Sequence, residues 1–274
     1  MQISFYKKGG KLFCCINNSG EKKCLELDTS INQFYSNYDS LIQKIERDGK
    51  DMDQSTKPVI PVTPSKILCP ALNFRSHSGE TGQKTPDFPY FFPKFITSLT
   101  GYNSEIIKPK SVKKLDYEGE IAAIIGKRLK DANTKESAHS IAAYAVVNDV
   151  SSRDIQNQFS EGLGKNWIMG KASDTFLPIS STVYCGDQES FNIRTHVNGE
   201  IRQNGNTDDM IFSFPEMISY ISKYITLIPG DIILSGTPSG VANSGKFPFL
   251  KEGDMVKVES DGIGYLSNRV KSSD

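Results

Sequence analysis

No stretch of this sequence approaches the roughly 18 consecutive apolar residues that a membrane-crossing helix needs, so no spanning segment is expected. The first residues, Met1 to Lys8, lack a basic region followed by an apolar run, which predicts a cytoplasmic protein without a secretory leader. An excess of either charge is also missing. The chain has 32 Lys and Arg against 32 Asp and Glu, and neither sign gathers in a block. Bulk electrostatics therefore suggests no nucleic-acid partner and no anionic membrane surface. Cysteine is sparse and unpatterned: five residues (Cys14, Cys15, Cys24, Cys69 and Cys185) show no C-x-x-C spacing. Free buried thiols are predicted, and a zinc site is not. Low-complexity tracts and internal repeats are absent as well.

What remains is an ordinary globular composition. With 274 residues, 37% of them apolar and 10% aromatic, the chain suits one large domain or a small domain joined to a larger one. Two short strands, 3–6 and 12–16, flank a Gly9-Gly10 turn. After the capping cluster Asp28-Thr29-Ser30, apolar residues recur at Ile31, Phe34, Tyr35, Tyr38, Leu41, Ile42 and Ile45, which predicts one amphipathic helix ending near Gly49. Residues 51–65, with three prolines, read as a linker. The division predicted is a small α+β domain over 1–60 and a second domain over 66–274. Further on, 67–69 reads as a buried strand, and Asn73 to Gly82 as a mobile loop or single helical turn. A helix is predicted around 134–143, a strand over 144–149, and a capping box at Ser213-x-x-Glu216. Many short strands and few helices make the class α+β and β-rich.

The chemistry centres on Leu115 to Ile125. Its second half reads as a strand buried on both faces, yet Glu118 and Glu120 stand at its start. Residues at i and i+2 of a strand share a face, so the two acids project together and repel unless a cation lies between them. A solvated strand end is the plain alternative. Asp149 closes the next apolar strand, and beside the two glutamates it would complete a hard-oxygen set for Mg²⁺ or Mn²⁺, or Ca²⁺ in a roomier cage. Lys171 or Arg153 would offset the surplus negative charge. His77 and Glu80, at i and i+3, face each other if their turn is helical, as a general base and its orienting carboxylate would. An exposed histidine is the alternative there. Lys94 and Lys171, between aromatic or small residues, could hold a substrate carboxylate or simply snorkel at the surface. Ser235 to Gly240 could cradle an anion or form a tight turn. Gly162-x-Gly164-Lys165 lacks the spacing and hydroxyl of a phosphate loop and is rejected as one.

Taken in order, the motifs are Asn73-Phe74-Arg75-Ser76-His77-x-x-Glu80, Tyr117-Glu118-Gly119-Glu120-Ile121, Tyr144 through Gln156, Gly170-Lys171-Ala172-Ser173-Asp174-Thr175-Phe176, Val197-Asn198-Gly199-Glu200, and Pro229 through Val241. This series resembles the fumarylacetoacetate hydrolase family from about Lys66 to the C-terminus. The resemblance implies a mixed β-sandwich roll, a homodimer, and Mg²⁺ or Mn²⁺ held by Glu118, Glu120 and Asp149. It implies a water-activating dyad of His77 and Glu80 on a lid, with Lys171 touching substrate or a catalytic water. Gln156 and Thr237 would bind substrate, and Lys94 and Arg153 match the family pattern. The implied reaction is hydrolysis of a C–C bond in a 2-oxo or β-diketo acid, with an enolate as leaving group. Decarboxylation of oxaloacetate and keto–enol isomerisation are the nearest rivals, and a non-catalytic relative is a third. Two departures bear on the substrate: Ala172-Ser173 after the lysine, and Ile179-Ser180-Ser181 where a Gly-Pro is frequent.

Overall fold

The computed structural model describes residues 1–18, 21–52, 56–158, 164–188 and 190–273. Part of the predicted linker and Gly162 of the rejected phosphate loop lie outside them. Three strands open the chain as an antiparallel meander: β1 (Gln2–Lys8), β2 (Lys11–Asn18) and β3 (Glu21–Leu27). The third strand has no apolar run to announce it, because it lies at the sheet edge, where charged residues are tolerated. Its register sets Cys24 opposite Cys15, and the two form a disulfide, which corrects the expectation of five free thiols. Nine residues of separation carry no such signal until the register is known. Cys14, Cys69 and Cys185 are free and buried. The helix predicted as one piece is two, α1 (Ile31–Ser36) and α2 (Tyr38–Asp48), interrupted where Asn37 leaves helical geometry at φ −131°.

The remaining elements are β4 (Ile67–Pro70), α3 (Arg75–Thr81), β5 (Phe91–Lys94), β6 (Leu99–Thr100), β7 (Glu105–Lys108), β8 (Leu115–Asp116), β9 (Gly119–Ile125), α4 (Thr134–Ala138), β10 (Ile141–Asn148), β11 (Ser151–Ser152), α5 (Arg153–Gln156) and α6 (Trp167–Lys171). Then follow β12 (Leu177–Tyr184), β13 (Asn192–Val197), β14 (Glu200–Asn206), α7 (Phe214–Tyr224), β15 (Ile232–Leu234), β16 (Met255–Ser260) and β17 (Gly264–Ser272). The capping boxes at Asn133 and Ser213 start α4 and α7. Helix α4 ends five residues before the sequence reading, because residues from Ile141 onward pair with β9 instead. No helix among the described residues is long and apolar enough to cross a membrane.

The large sheet runs β3-β2-β1-β12-β10-β9-β15-β4-β5, with β6 beside β12. A second sheet runs β14-β13-β16-β17-β7, and β8 pairs with β11. Strand β1 pairs with β12, so the N-terminal meander continues the sheet that holds β9 and β10. Strand β9 is buried on both faces. Ile121, Ala123 and Ile125 enter a core shared with Ile193, Val256, Val258 and Leu266 of the second sheet. Ala122 and Ile124 enter the other core, with Phe5, Phe34, Tyr35 and Ile45. Each such aliphatic or aromatic side chain removed from water contributes about 1.5–3 kcal/mol. The start of β9 is therefore fixed from both sides before any site residue is considered.

Candidate active site

Strand parity brings the acids together. Glu118 and Glu120 share a face with Ala122 and Ile124, and the β9–β10 register sets Val147 opposite Glu120. Two residues beyond Val147, Asp149 lies on that same face, and its backbone N–H donates to the Glu118 carbonyl at 2.8 Å. One carboxylate oxygen from each of Glu118, Glu120 and Asp149 lies within 4.8 Å of the others. All three residues are buried, at 5%, 2% and 1% exposure.

The surroundings hold this arrangement still. Gln203 of β14 accepts from the Gly119 N–H at 2.9 Å and donates to Thr237 Oγ1 at 2.7 Å, while Thr237 donates to the Gly119 carbonyl at 2.9 Å. The peptide between the two glutamates is thus held by Gln203 from the second sheet and by Thr237 from the loop after β15. A side chain at Gly119 has no room: its Cβ would lie 2.1 Å from Thr195 Oγ1. Asn148 accepts from the Glu118 N–H at 3.0 Å, and the Gly236 N–H donates to Glu120 Oε2 at 2.9 Å. Helix α6 presses onto α5 at Gly170, where a Cβ would meet that of Gln156 at 2.6 Å. This close approach carries Lys171 to the acids, where it bonds Glu118 and, at 3.0 Å, Asp149 Oδ2. Arg153 bonds Glu118, Asp116 Oδ2 at 2.8 Å and Gln156 Oε1 at 3.1 Å.

The two glutamates differ electrically. Burial disfavours charge on Glu118, but the Arg153 guanidinium and Lys171 ammonium hold its carboxyl well below the usual range. Burial pushes the Glu120 carboxyl well above that range, and repulsion from Asp149 and Glu118 adds to the push. Burial opposes the Lys171 charge too, yet Asp149 and Glu118 hold its ammonium above its ordinary value. Four carboxylates (Asp116, Glu118, Glu120 and Asp149) thus face three cations (Lys94, Arg153 and Lys171), and Glu120 is the one left under net repulsion. A divalent ion among the triad would supply the missing positive charge, and an all-oxygen carboxylate set suits Mg²⁺ or Mn²⁺. The residues present therefore fit such an ion.

His77 and Glu80 sit on α3, a seven-residue helix where a mobile loop or a single helical turn was expected. His77 Nδ1 lies 3.4 Å from Glu80 Oε2, and both Glu80 oxygens accept from the Gly240 N–H at 2.9 and 3.0 Å. Partial burial opposes ionisation of Glu80, but His77 and that N–H hold its carboxyl below the usual range. His77 opens onto a narrow cleft of about 30 Å³, which Glu118, Arg153, Gln156, Lys165, Trp167 and Lys171 also line. That is room for about one or two waters.

Two of the sequence-predicted residues lie elsewhere. Lys94, on β5, is closed off behind Asp149, where its ammonium donates to Asp149, to the Val150 carbonyl at 3.1 Å and to the Phe176 carbonyl at 2.7 Å. It braces a carboxylate of the triad and has no hydrogen left for a ligand. Thr237 is engaged with Gly119 and Gln203 as described. Residues missed at the sequence level include Asp116, Gln203 and Lys165. Asp116 also caps the turn at Ala242 and Asn243 by accepting their N–H groups at 2.8 and 3.1 Å. The segment Glu200–Asn206 shows no apolar–polar alternation, so nothing local marked Gln203 before the opposite sheet was known.

Residues 66–271 match the family described as fumarylacetoacetate (FAA) hydrolase, C-terminal. The chain is 39% identical to oxaloacetate tautomerase Fahd2a, mitochondrial, of Rattus norvegicus over 216 residues, covering 77% of this chain and 68% of the relative. Its fold is similar to that of 5-carboxymethyl-2-hydroxymuconate delta-isomerase from Mycobacterium smegmatis, with a TM-score of 0.81 and 26% identity over all of both chains. It is also similar to fumarylpyruvate hydrolase from Pseudomonas aeruginosa, solved in complex with Mn²⁺ and pyruvate. There the TM-score is 0.69 and the identity 31%, over 81% of this chain and 93% of the other.

Proposed function

The chain belongs to the fumarylacetoacetate hydrolase family, and from that premise we propose that it hydrolyses a C–C bond in a 2-oxo or β-diketo acid with the help of Mg²⁺ or Mn²⁺. The observation that carries this reading is the shared cleft. The His77 imidazole, oriented by Glu80, faces the same small space as Glu118 and Lys171. Glu118, Glu120 and Asp149 would hold the ion, which when bound supplies Lewis-acid polarisation of the 2-oxo carbonyl. Arg153 and Lys171 keep Glu118 ionised for that task. His77 takes a proton from a cleft water, and the water oxygen bonds to the distal carbonyl carbon. The C–C bond then breaks with its electron pair passing into the 2-oxo fragment as an enolate. His77 returns the proton to the carbon that has left. Lys171, within reach of the same oxygens, stabilises the charge that develops.

The likeness to an oxaloacetate tautomerase supports a second reading on the same residues. There His77 would move a proton at the carbon between two carbonyl groups, with no water consumed. A panel of acylpyruvates and enol-oxaloacetate, assayed by NMR with and without chelator, separates the two. Chelator-sensitive cleavage that falls about 10²- to 10⁴-fold in His77→Ala is expected for a lost general base. Full acylpyruvate hydrolysis by that variant would remove His77 from its role. Ketonisation of oxaloacetate without cleavage of any acylpyruvate would put the tautomerase reading first.

A further inference from the structure

Helix α3 carries His77 and Glu80 but does not cap its own start. Phe74, at the N-cap, has no side-chain acceptor, so the first N–H groups of the helix need partners from elsewhere. One partner comes from 133 residues away: Asp209 Oδ2 accepts from the Ser76 N–H at 2.9 Å. The Ser239 N–H also donates to Ser76 Oγ, at a long 3.4 Å, and leaves the Ser76 backbone N–H to Asp209. Arg75 Nη1 donates to the Met210 carbonyl at 2.6 Å, and the Ile211 N–H donates to the Asn73 carbonyl at 2.8 Å, so the segment that starts at Asp209 follows the entry into α3. That segment is anchored in turn. Residues Thr207–Asp209 form a single 3-10 turn directly after β14, and Asn206 caps it by accepting from the Asp208 N–H at 2.8 Å. Buried Thr207 donates its N–H to the Phe191 carbonyl at 2.9 Å and accepts from the Phe191 N–H at 2.9 Å. One strand thus reaches both halves of the site. Gln203 of β14 holds the peptide between the glutamates, and Asp209, just past its end, holds the turn of α3 that leads into His77.

We propose that Asp209 is a positioning residue for the base: its hydrogen bond to the Ser76 N–H fixes the first turn of α3 and, through it, the place of the His77 imidazole in the cleft. This role rests on the functional reading above, in which His77 moves the proton. Asp209 does not line the cleft, so it acts on turnover only by way of α3. The docking of Glu80 on the Gly240 N–H holds the far part of the helix, but a first turn without its cap frays. His77, in that turn, would then lose its fixed distance to the Glu118 end of the cleft.

The test compares wild type with Asp209→Ala, which loses the acceptor, and Asp209→Asn, which keeps an oxygen in the same place. Turnover of acetylpyruvate and enol-oxaloacetate by the Mn²⁺-loaded protein is measured, together with Mn²⁺ affinity and the rate at which trypsin cuts the Arg75–Ser76 bond. Arg75 is exposed at the start of α3, so that rate reports how often the turn opens. In Asp209→Ala the cleavage is expected to quicken about 10- to 100-fold, as for one lost charge-assisted hydrogen bond. The kcat is expected to fall by a similar factor while KM and Mn²⁺ affinity stay within about twofold of wild type, because the base is misplaced and the triad is not. Asp209→Asn is expected to restore most of both losses. A cleavage rate or a kcat that stays within about twofold of wild type in Asp209→Ala overturns the proposal. Equal losses in the two variants overturn it too, since the effect would then belong to the charge and not to the hydrogen bond. So does a parallel loss of Mn²⁺ affinity, which would mark general unfolding. If the wild type turns over neither substrate, the functional reading fails. The cleavage rate at Arg75 and its rescue by Asp209→Asn then decide whether Asp209 holds α3.

Discussion

Glu118 and Glu120 occupy one face of one strand, two residues apart, and yet their charges are held by opposite forces. Glu118 has two buried cations on it, and Glu120 has two carboxylates against it. The consequences of neutralising each are therefore different. Glu118→Gln leaves Arg153 and Lys171 buried with a partner missing, a kind of loss that costs about 3–5 kcal/mol. Glu120→Gln removes a repelled charge and keeps an oxygen for the Gly236 N–H, so the metal-free protein is expected to melt no lower than wild type. Both variants are expected to lose Mn²⁺ binding in a calorimetric titration. Normal Mn²⁺ affinity in Glu120→Gln would end the assignment of the triad. A melting temperature for Glu118→Gln equal to wild type would mean that the ion pairs to Arg153 and Lys171 contribute nothing. Spacing alone pointed to this pair, since i and i+2 must share a face. Nothing in the sequence distinguished their environments, because Arg153 and Lys171 arrive from 35 and 53 residues away.

At the scale of elements, the site is a joint between two sheets. Strand β9 brings the glutamates, but Gln203 of β14 holds its first peptide from the opposite sheet, and Thr195 of β13 packs against Gly119 there. The sequence made β9 legible as a doubly buried strand, and Asp149 legible as a strand-end acid, because burial and parity are local properties. Its reading of α4 ran too long and its reading of Asn73 to Gly82 too loose, because pairing with β9 and docking on Gly240 are not local. The same joint explains Gly119. Its missing side chain is the space that Thr195 Oγ1 occupies, with Val258 Cγ1 next at 2.9 Å. Gly119→Ala is expected to destabilise the protein by about 1–3 kcal/mol through overpacking, and to weaken Mn²⁺ binding by displacing both glutamates. Thr195→Ala removes the atom most in conflict. If it restores no stability in the double variant relative to the sum of the single ones, the clash is not the cause.

At the scale of the whole molecule, the chain reads from its sequence as a small unit over 1–60 followed by a larger one. The composition shift at the prolines of 51–65 supports that division. The pairing of Ile3 with Val183 could not be read from it, since 180 residues separate the two partners. Through this pairing, Phe5, Phe34 and Tyr35 pack in one core with Ala122 and Ile124, directly along the strand from Glu120. Tyr35 also donates to the Pro61 carbonyl at 2.6 Å, tying the end of the linker to α1. The N-terminal residues therefore brace the strand that carries the acids, although they supply none of the site. Phe34→Ala should cost about 3–5 kcal/mol, a large part of the 5–15 kcal/mol that holds a typical domain together. Because one core joins the two regions, that loss is expected to appear at the cleft. Urea unfolding followed by Trp167 fluorescence should shift to a lower midpoint by the same amount as unfolding followed by far-UV circular dichroism. A Trp167 transition that stays at the wild-type midpoint while part of the dichroism melts early would show that residues 1–60 fold on their own. The bracing of β9 from the N-terminus would then be absent.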